Sequence, residues 1–134
     1  MNMELTVTFP GNRKVEVEFK GFTIKTDQPQ SAGGDGTAPS PFDLFLSSIG
    51  ACSGIYVLDF CTNRGISLEN VRVVQTMKRD PETHMVTSVA LRIELPKDFP
   101  DKYKDSLIRA VDLCTVKKHI MHPPAFTIET AKAE

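Results

Sequence analysis

The stretch Ser40-Pro41-Phe42-Asp43-Leu44-Phe45-Leu46-Ser47-Ser48-Ile49-Gly50-Ala51-Cys52-Ser53-Gly54-Ile55-Tyr56-Val57-Leu58-Asp59-Phe60-Cys61 decides the fold. It opens with a helix start. Ser40 suits the N-cap, Pro41 has the fixed φ of the first helical position, and Asp43 stands where a capping-box carboxylate reaches back. Asn63-Arg64-Gly65 ends the run, and Gly65 is placed for the left-handed residue that closes a helix. Between these signals nearly every face is apolar or small, which predicts a helix enclosed on most sides. Cys52 sits in its middle. The run is about long enough to cross a bilayer. Asp43, Asp59, Ser47, Ser48, Ser53, Gly50 and Gly54 dilute it, however, and no second span follows, so a central buried helix without a membrane is expected.

Working outward, the composition narrows the class. With 134 residues the chain has the length of one domain, over residues 1–134, able to bury a core without disulfide staples. Its formal net charge is −1 and its acids and bases are interspersed, which argues against nucleic acid or an anionic membrane as partner. No N-terminal signal-peptide pattern is present, so a cytoplasmic location is expected. The odd number of cysteines, 3, argues against a structural disulfide framework there and leaves buried or reactive thiols.

Upstream of the helix, Leu5, Val7 and Phe9, then Val15, Val17 and Phe19, then Phe22, Ile24 and Thr26 alternate with polar residues. Turns at Pro10-Gly11-Asn12 and Gly21 make this an antiparallel meander with half-buried strands. Residues 27–40 read as a flexible approach to the helix. Gly33-Gly34-Asp35-Gly36 lacks the lysine and glycine spacing of a phosphate or dinucleotide loop. Downstream, Val71 to Lys78 and Met85 to Leu95 form a hairpin around Asp80-Pro81-Glu82-Thr83. Met85, Thr87, Val89, Leu91, Ile93 and Leu95 share one face of its second strand. A helix from about Asp101 carries Tyr103, Leu107, Ala110, Val111 and Cys114 on its apolar stripe. A short helical piece, Thr115 to Met121, and a last strand through Phe126, Ile128 and Thr130 complete an α+β order.

Cys52 and Cys61 are nine residues apart on one helix, which places them on opposite faces and about 13 Å apart along the axis. A disulfide needs Cα atoms within about 7 Å, so these two do not pair while the helix stands. Cys114 is the thiol able to partner either, and spacing does not choose between them. A free thiol of pKa near 8.5 is only a few per cent ionised at pH 7, so a reactive Cys52 requires help. It lies about three turns inside its helix, too deep to feel the N-terminal dipole. The needed cation or donor must come from elsewhere, with Arg13, Arg64, Lys117 and Lys118 as candidates. The competing reading of each cysteine is a buried small hydrophobe. Cys114, His119 and His122 loosely suggest zinc but lack a fourth ligand, so no metal and no cofactor is expected. Tyr56 and Tyr103 read as packing aromatics.

Gly33 to Leu46 leading into Ser47-Ser48-Ile49-Gly50-Ala51-Cys52, with the later Leu113-Cys114-Thr115-Val116-Lys117-Lys118-His119, resembles the OsmC/Ohr family of osmotically inducible and organic-hydroperoxide-resistance proteins. The second motif looks like its OsmC-like branch, and the likeness spans nearly the whole chain. It implies an intertwined homodimer in which curved sheets wrap the central helices, with active sites at the subunit interface. It also implies a thiol-dependent peroxidase. Cys52 would attack the O–O bond of a small organic hydroperoxide and become a sulfenic acid, Cys114 would resolve it, and an external dithiol would reduce the disulfide. Arg13 falls where the hydroperoxide-resistance branch carries its thiolate-stabilising arginine, and Phe42, Phe45 and Tyr56 are expected against the substrate. One position departs from the pattern. The family's peroxidases carry a glutamate ten residues before the first cysteine, and here that residue is Phe42, with the shorter Asp43 beside it about 100° around the helix. Thr115 likewise stands where those peroxidases more often carry proline. The alternative is therefore a non-catalytic OsmC-like dimer that binds a small apolar ligand in its interface pocket.

Overall fold

Ser40 and Asp43 cap the long helix reciprocally in the computed structural model, which describes residues 1–133. The Asp43 N–H donates to Ser40 Oγ at 3.2 Å, and the Ser40 N–H donates to Asp43 Oδ2 at 3.4 Å. This helix, α1, runs Pro41–Asn63. At its far end the Ile66 N–H reaches the Cys61 carbonyl at 2.9 Å and the Gly65 N–H reaches the Thr62 carbonyl at 3.2 Å. Gly65 has φ +64, a left-handed value that closes the helix in a Schellman motif. Both boundaries agree with the expectation.

The chain divides into two compact units, Met1–Ser47 and Ser48 onward, with the boundary inside α1. In the first unit, strands β1 (Thr6–Gly11), β2 (Lys14–Phe19) and β3 (Phe22–Thr26) form an antiparallel sheet in sequence order. Val17 pairs with Val7 on one side and Ile24 on the other. The strands were expected to be half-buried. β1 is instead exposed throughout, with Phe9 79% and Phe22 72% accessible, because no second layer within this unit lies over their side chains.

Residues 27–40, expected to be flexible, are ordered around one carboxylate. Asp27 is fully buried and accepts from the Gln28 N–H (2.7 Å), the Thr37 N–H (3.1 Å), the Thr37 hydroxyl (2.6 Å) and the Asp35 N–H at 3.4 Å. A Cβ on Gly34 would lie 2.0 Å from the Gln28 carbonyl oxygen, so this loop closes only on glycine. Asn12 adds donors to the Gly33 carbonyl and to Asp35, and Lys14 pairs with Asp35.

In the second unit, β4 (Arg72–Arg79) and β5 (Val86–Glu94) form an antiparallel hairpin. Its turn is held by Asp80, whose Oδ1 accepts the N–H groups of Glu82 and Thr83. A 3₁₀ turn, Asp101–Tyr103, leads into α2 (Lys104–Val111), and α3 (Thr115–Met121) follows. The core joins Val57, Phe60 and Cys61 of α1 to Leu107 and Val111 of α2 and to Phe99. Arg64 lies over the Phe60 ring at 3.6 Å and donates to the Phe60 carbonyl, covering one end of that core.

Three expectations need correction. α1 is not enclosed on most sides. Its stripe Ile49, Ser53, Val57 and Phe60 is buried, whereas Ile55 and Leu58 remain 48% and 40% exposed, because the unit packs only one face. Cys114 does not ride on the α2 stripe: α2 ends at Val111, and Cys114 is the N-cap of α3. No final strand forms at Phe126 and Ile128, which are 83% and 97% exposed, since among the described residues no strand lies alongside to pair with it.

The hydrogen bonds on Asp27, from the Thr37 hydroxyl first and then from the Gln28 and Thr37 N–H groups, hold its carboxyl well below the usual carboxylate range. A depressed folded-state pKa contributes stability above the unfolded value of about 3.9 and loses it as pH falls through the folded value. Asp27→Asn is therefore expected to lower the melting temperature at pH 7. Its deficit relative to the wild type should shrink as pH drops below about 4, as read by thermal unfolding across pH. A deficit independent of pH would refute the role of the charge.

Candidate functional site

Cys114 brings the site together. The turn after α2 returns the chain towards α1, with the Cys114 N–H on the Val111 carbonyl at 3.1 Å and the Lys118 N–H on the Cys114 carbonyl at 3.0 Å. Cys114 is 1% exposed, and its thiol lies beside that of Cys52. The structure thus makes the choice that spacing left open: Cys114 meets Cys52. Cys61 is buried in the core beside Phe60, and burial pushes its thiol up, partly offset by Arg64. All three cysteines are free thiols.

Burial also acts to raise the Cys114 thiol. Hydrogen bonding from Cys52, the N–H groups of Lys117 and Val116, and the Ser53 hydroxyl outweighs it, and the group lies below an ordinary thiol. The sulfur closes no cap hydrogen bond on α3, so those two N–H groups act on it as nearby dipoles. Ser53 is 1% exposed and its Oγ lies 2.8 Å from the Ile49 carbonyl. Its single proton serves either that carbonyl or the Cys114 sulfur.

A cavity of about 400 Å³ opens beside these groups. Ile49 and Ser53 of α1, Leu91 and Ile93 of β5, Val111 and Cys114 line it, so its wall is apolar apart from the hydroxyl, the sulfur and a rim formed by Asp112 and Lys117. Asp112 and Lys117 form an ion pair. The cavity wall was legible in the shared face of Val89, Leu91 and Ile93. Ser53 was missed, although a small polar residue on the buried stripe of an apolar helix was a usable signal.

The remaining candidates stand as follows. Tyr56 does not line the cavity; its hydroxyl pairs with Thr115 Oγ1 at 3.0 Å, tying α1 to α3. Phe42 and Phe45, in the Met1–Ser47 unit, stack on each other with centroids 5.7 Å apart. Arg13 is in the same unit, at the β1–β2 turn, along a shallow hollow with Phe9 and Gln28. Arg64 is committed to Phe60, and Lys117 brings its backbone rather than its ammonium to bear on the thiols. His119 donates through Nδ1 to the Thr115 carbonyl at 2.7 Å. Among the described residues no cluster of His, Cys, Asp and Glu is arranged to hold a metal ion.

Comparison with known proteins gives the same assignment of fold. No curated protein sequence matches the chain. Among solved structures it is similar to a Psychrobacter arcticus protein described as a candidate osmotic stress induced and detoxification response protein, at 26% identity and TM-score 0.70, covering 92% of this chain and 91% of that one. An OsmC like protein from Mycoplasma pneumoniae matches at 15% identity and TM-score 0.69, covering 92% and 89%. An organic hydroperoxide resistance protein OsmC from Legionella pneumophila matches at 19% identity and TM-score 0.55, covering 90% and 89%. The family model for OsmC-like proteins matches residues 34–129, which takes in α1, the hairpin and both cysteine motifs. With the α+β order and the two thiols in place, the chain belongs to the OsmC-like protein family.

Proposed function

We propose that this protein is a thiol-dependent peroxidase that reduces organic hydroperoxides, with Cys52 oxidised to a sulfenic acid and Cys114 resolving it to a disulfide. The observation that carries this reading is that Cys52 and Cys114, distant in sequence, are neighbours in the fold, with Cys114 on the wall of an apolar cavity. Two thiols held in contact can pass from sulfenic acid to disulfide without unfolding a helix. An apolar wall favours an alkyl or aryl hydroperoxide over hydrogen peroxide, since each buried methylene adds about 0.8 kcal/mol. The similar Legionella pneumophila protein is an organic hydroperoxide resistance protein by name, which supports the same substrate class. A dithiol reductant in a reducing compartment would close the cycle, and Arg13 is retained as the external cation of the thiolate.

Cys52→Ser is expected to reduce consumption of cumene hydroperoxide, with dithiothreitol as donor, to the uncatalysed background. One equivalent of hydroperoxide without donor should leave a 52–114 crosslink in the wild type by peptide mapping, with Cys61 still alkylatable after denaturation. Wild-type protein inert towards organic hydroperoxides with every dithiol tried would sink the reading. The apolar cavity and Phe42 in the glutamate position favour the second reading, a ligand-binding dimer with no turnover. That reading requires the same inertness together with a co-purifying apolar ligand.

The protein is further proposed to act as a homodimer. Ile55 and Leu58 of α1 are left exposed in one unit, and Phe9 and Phe22 of the meander are left exposed in the other, which supplies apolar surface for burial against a second copy. Sedimentation at micromolar concentration should give twice the chain mass. Leu58→Asp is expected to weaken association at least about tenfold, since a leucine side chain contributes ~1.5–3 kcal/mol on burial. A wild type that sediments as a monomer would contradict it.

A further inference from the structure

We infer that the groove between β5 and α2 binds a free long-chain fatty acid, its carboxylate held by Lys97 and Lys104 and its chain running towards Cys114. The inference does not depend on hydroperoxide turnover. It starts from a second cavity, of about 570 Å³, lined by Leu95, Pro96 and Phe99 after β5 and by Lys104 and Leu107 of α2. Leu91, Ile93 and Ile108 line both this cavity and the one beside Cys114, so the two adjoin along a shared wall.

The sequence sets the shape of that track. Val89, Leu91, Ile93 and Leu95 fall two residues apart and stand on one face. At about 3.3 Å per residue they make an apolar run roughly 20 Å long. Opposite them lie Leu107 and Val111, both buried, and Ile108, which is 61% exposed. Val89 and Ile120 are likewise exposed at the Cys114 end. Apolar side chains left in water along a concave track mark a place where an apolar ligand lies. A single strand face opposite a single helix makes one track, which suits one acyl chain.

The two ends differ in charge. The ionisable residues lining the second cavity are Arg92, Lys97 and Lys104, all cations. Arg92 is held by Glu94. Lys104 meets Asp101 at 2.9 Å, an exposed pair of the kind that contributes little and yields to a better partner. Among the described residues Lys97 forms no ion pair. It follows Pro96 in a turn closed by the Phe99 N–H on the Pro96 carbonyl at 3.1 Å. At the other end Lys117 is paired with Asp112, whose carboxylate repels a second one. A carboxylate therefore belongs beside Lys97 and Lys104, and the methyl end beside Ile49 and Ile120.

Equilibrium dialysis of the purified protein against radiolabelled palmitate should show a single saturable site per chain. Hexadecanol, the uncharged analogue, should bind at least about tenfold more weakly, because the charge-assisted hydrogen bonds are lost. Lys97 and Lys104 are exposed, so replacing both by glutamine leaves the core untouched. That double variant should lose palmitate affinity at least about tenfold and keep the wild-type affinity for hexadecanol. Ile108→Asp, on the wall common to both cavities, should weaken both ligands. A palmitate analogue photoreactive at its methyl end should crosslink to the peptides holding Ile49 or Ile120. No palmitate binding, equal affinity for palmitate and hexadecanol, or a loss of affinity confined to Lys117→Gln would each overturn the inference. So would methyl-end crosslinks only to the segment from Leu95 to Leu107, or binding to phosphatidylglycerol vesicles in place of free palmitate. None of these readouts uses hydroperoxide, so their failure leaves the peroxidase reading standing, and a protein inert towards hydroperoxides leaves this inference standing.

Discussion

A polar group withdrawn from solvent needs partners from the elements around it, and the position of Cys114 is built on that constraint. The sulfur is withdrawn from solvent and would be driven to its neutral form by burial alone. The elbow between α2 and α3 reverses the balance by turning two N–H groups towards it, while α1 supplies a thiol and a hydroxyl from adjacent positions, Cys52 and Ser53. Adjacent residues on a helix diverge by about 100°, so both reach one point only when that point lies between their directions.

α1 is apolar on more faces than its unit covers. The stripe Ile49, Ser53, Val57 and Phe60 packs inward, and Ile55 and Leu58 do not. Its length and apolar composition also meet the bare requirement for a membrane span. Its buried stripe instead meets α2 and Phe99 in a core, which is the behaviour of a packed helix.

The elements and their order were legible because their signals are local. The Ser40–Asp43 box, the Gly65 terminus, the alternation in β2 and the Asp80 turn each announce themselves within a few residues, and each is present. Three things were not legible, for one shared reason. Whether Cys114 faces Cys52 or Cys61, whether Asp27 gathers a loop, and whether Phe126 finds a sheet all depend on partners distant along the chain. The pattern around Cys114 also misled: continuing the α2 stripe by three residues from Val111 lands on Cys114, yet the helix has already ended. Phe42 and Phe45 were assigned by family likeness rather than by local physics, and they stack on one another in the Met1–Ser47 unit.

The two sulfurs that touch are separated by most of the second unit, from position 52 to position 114. A covalent link there would tie a ring that includes the hairpin, Phe99 and α2. In the chain-entropy picture such a ring removes about 4 kcal/mol worth of freedom from the unfolded chain. Thermodynamic reciprocity then makes the native fold itself an oxidising influence on the pair: whatever stability the link adds to the fold, the fold returns as a more negative potential at which the ring reopens. The gain in conformational stability and the shift in redox poise would be two readings of one coupling free energy.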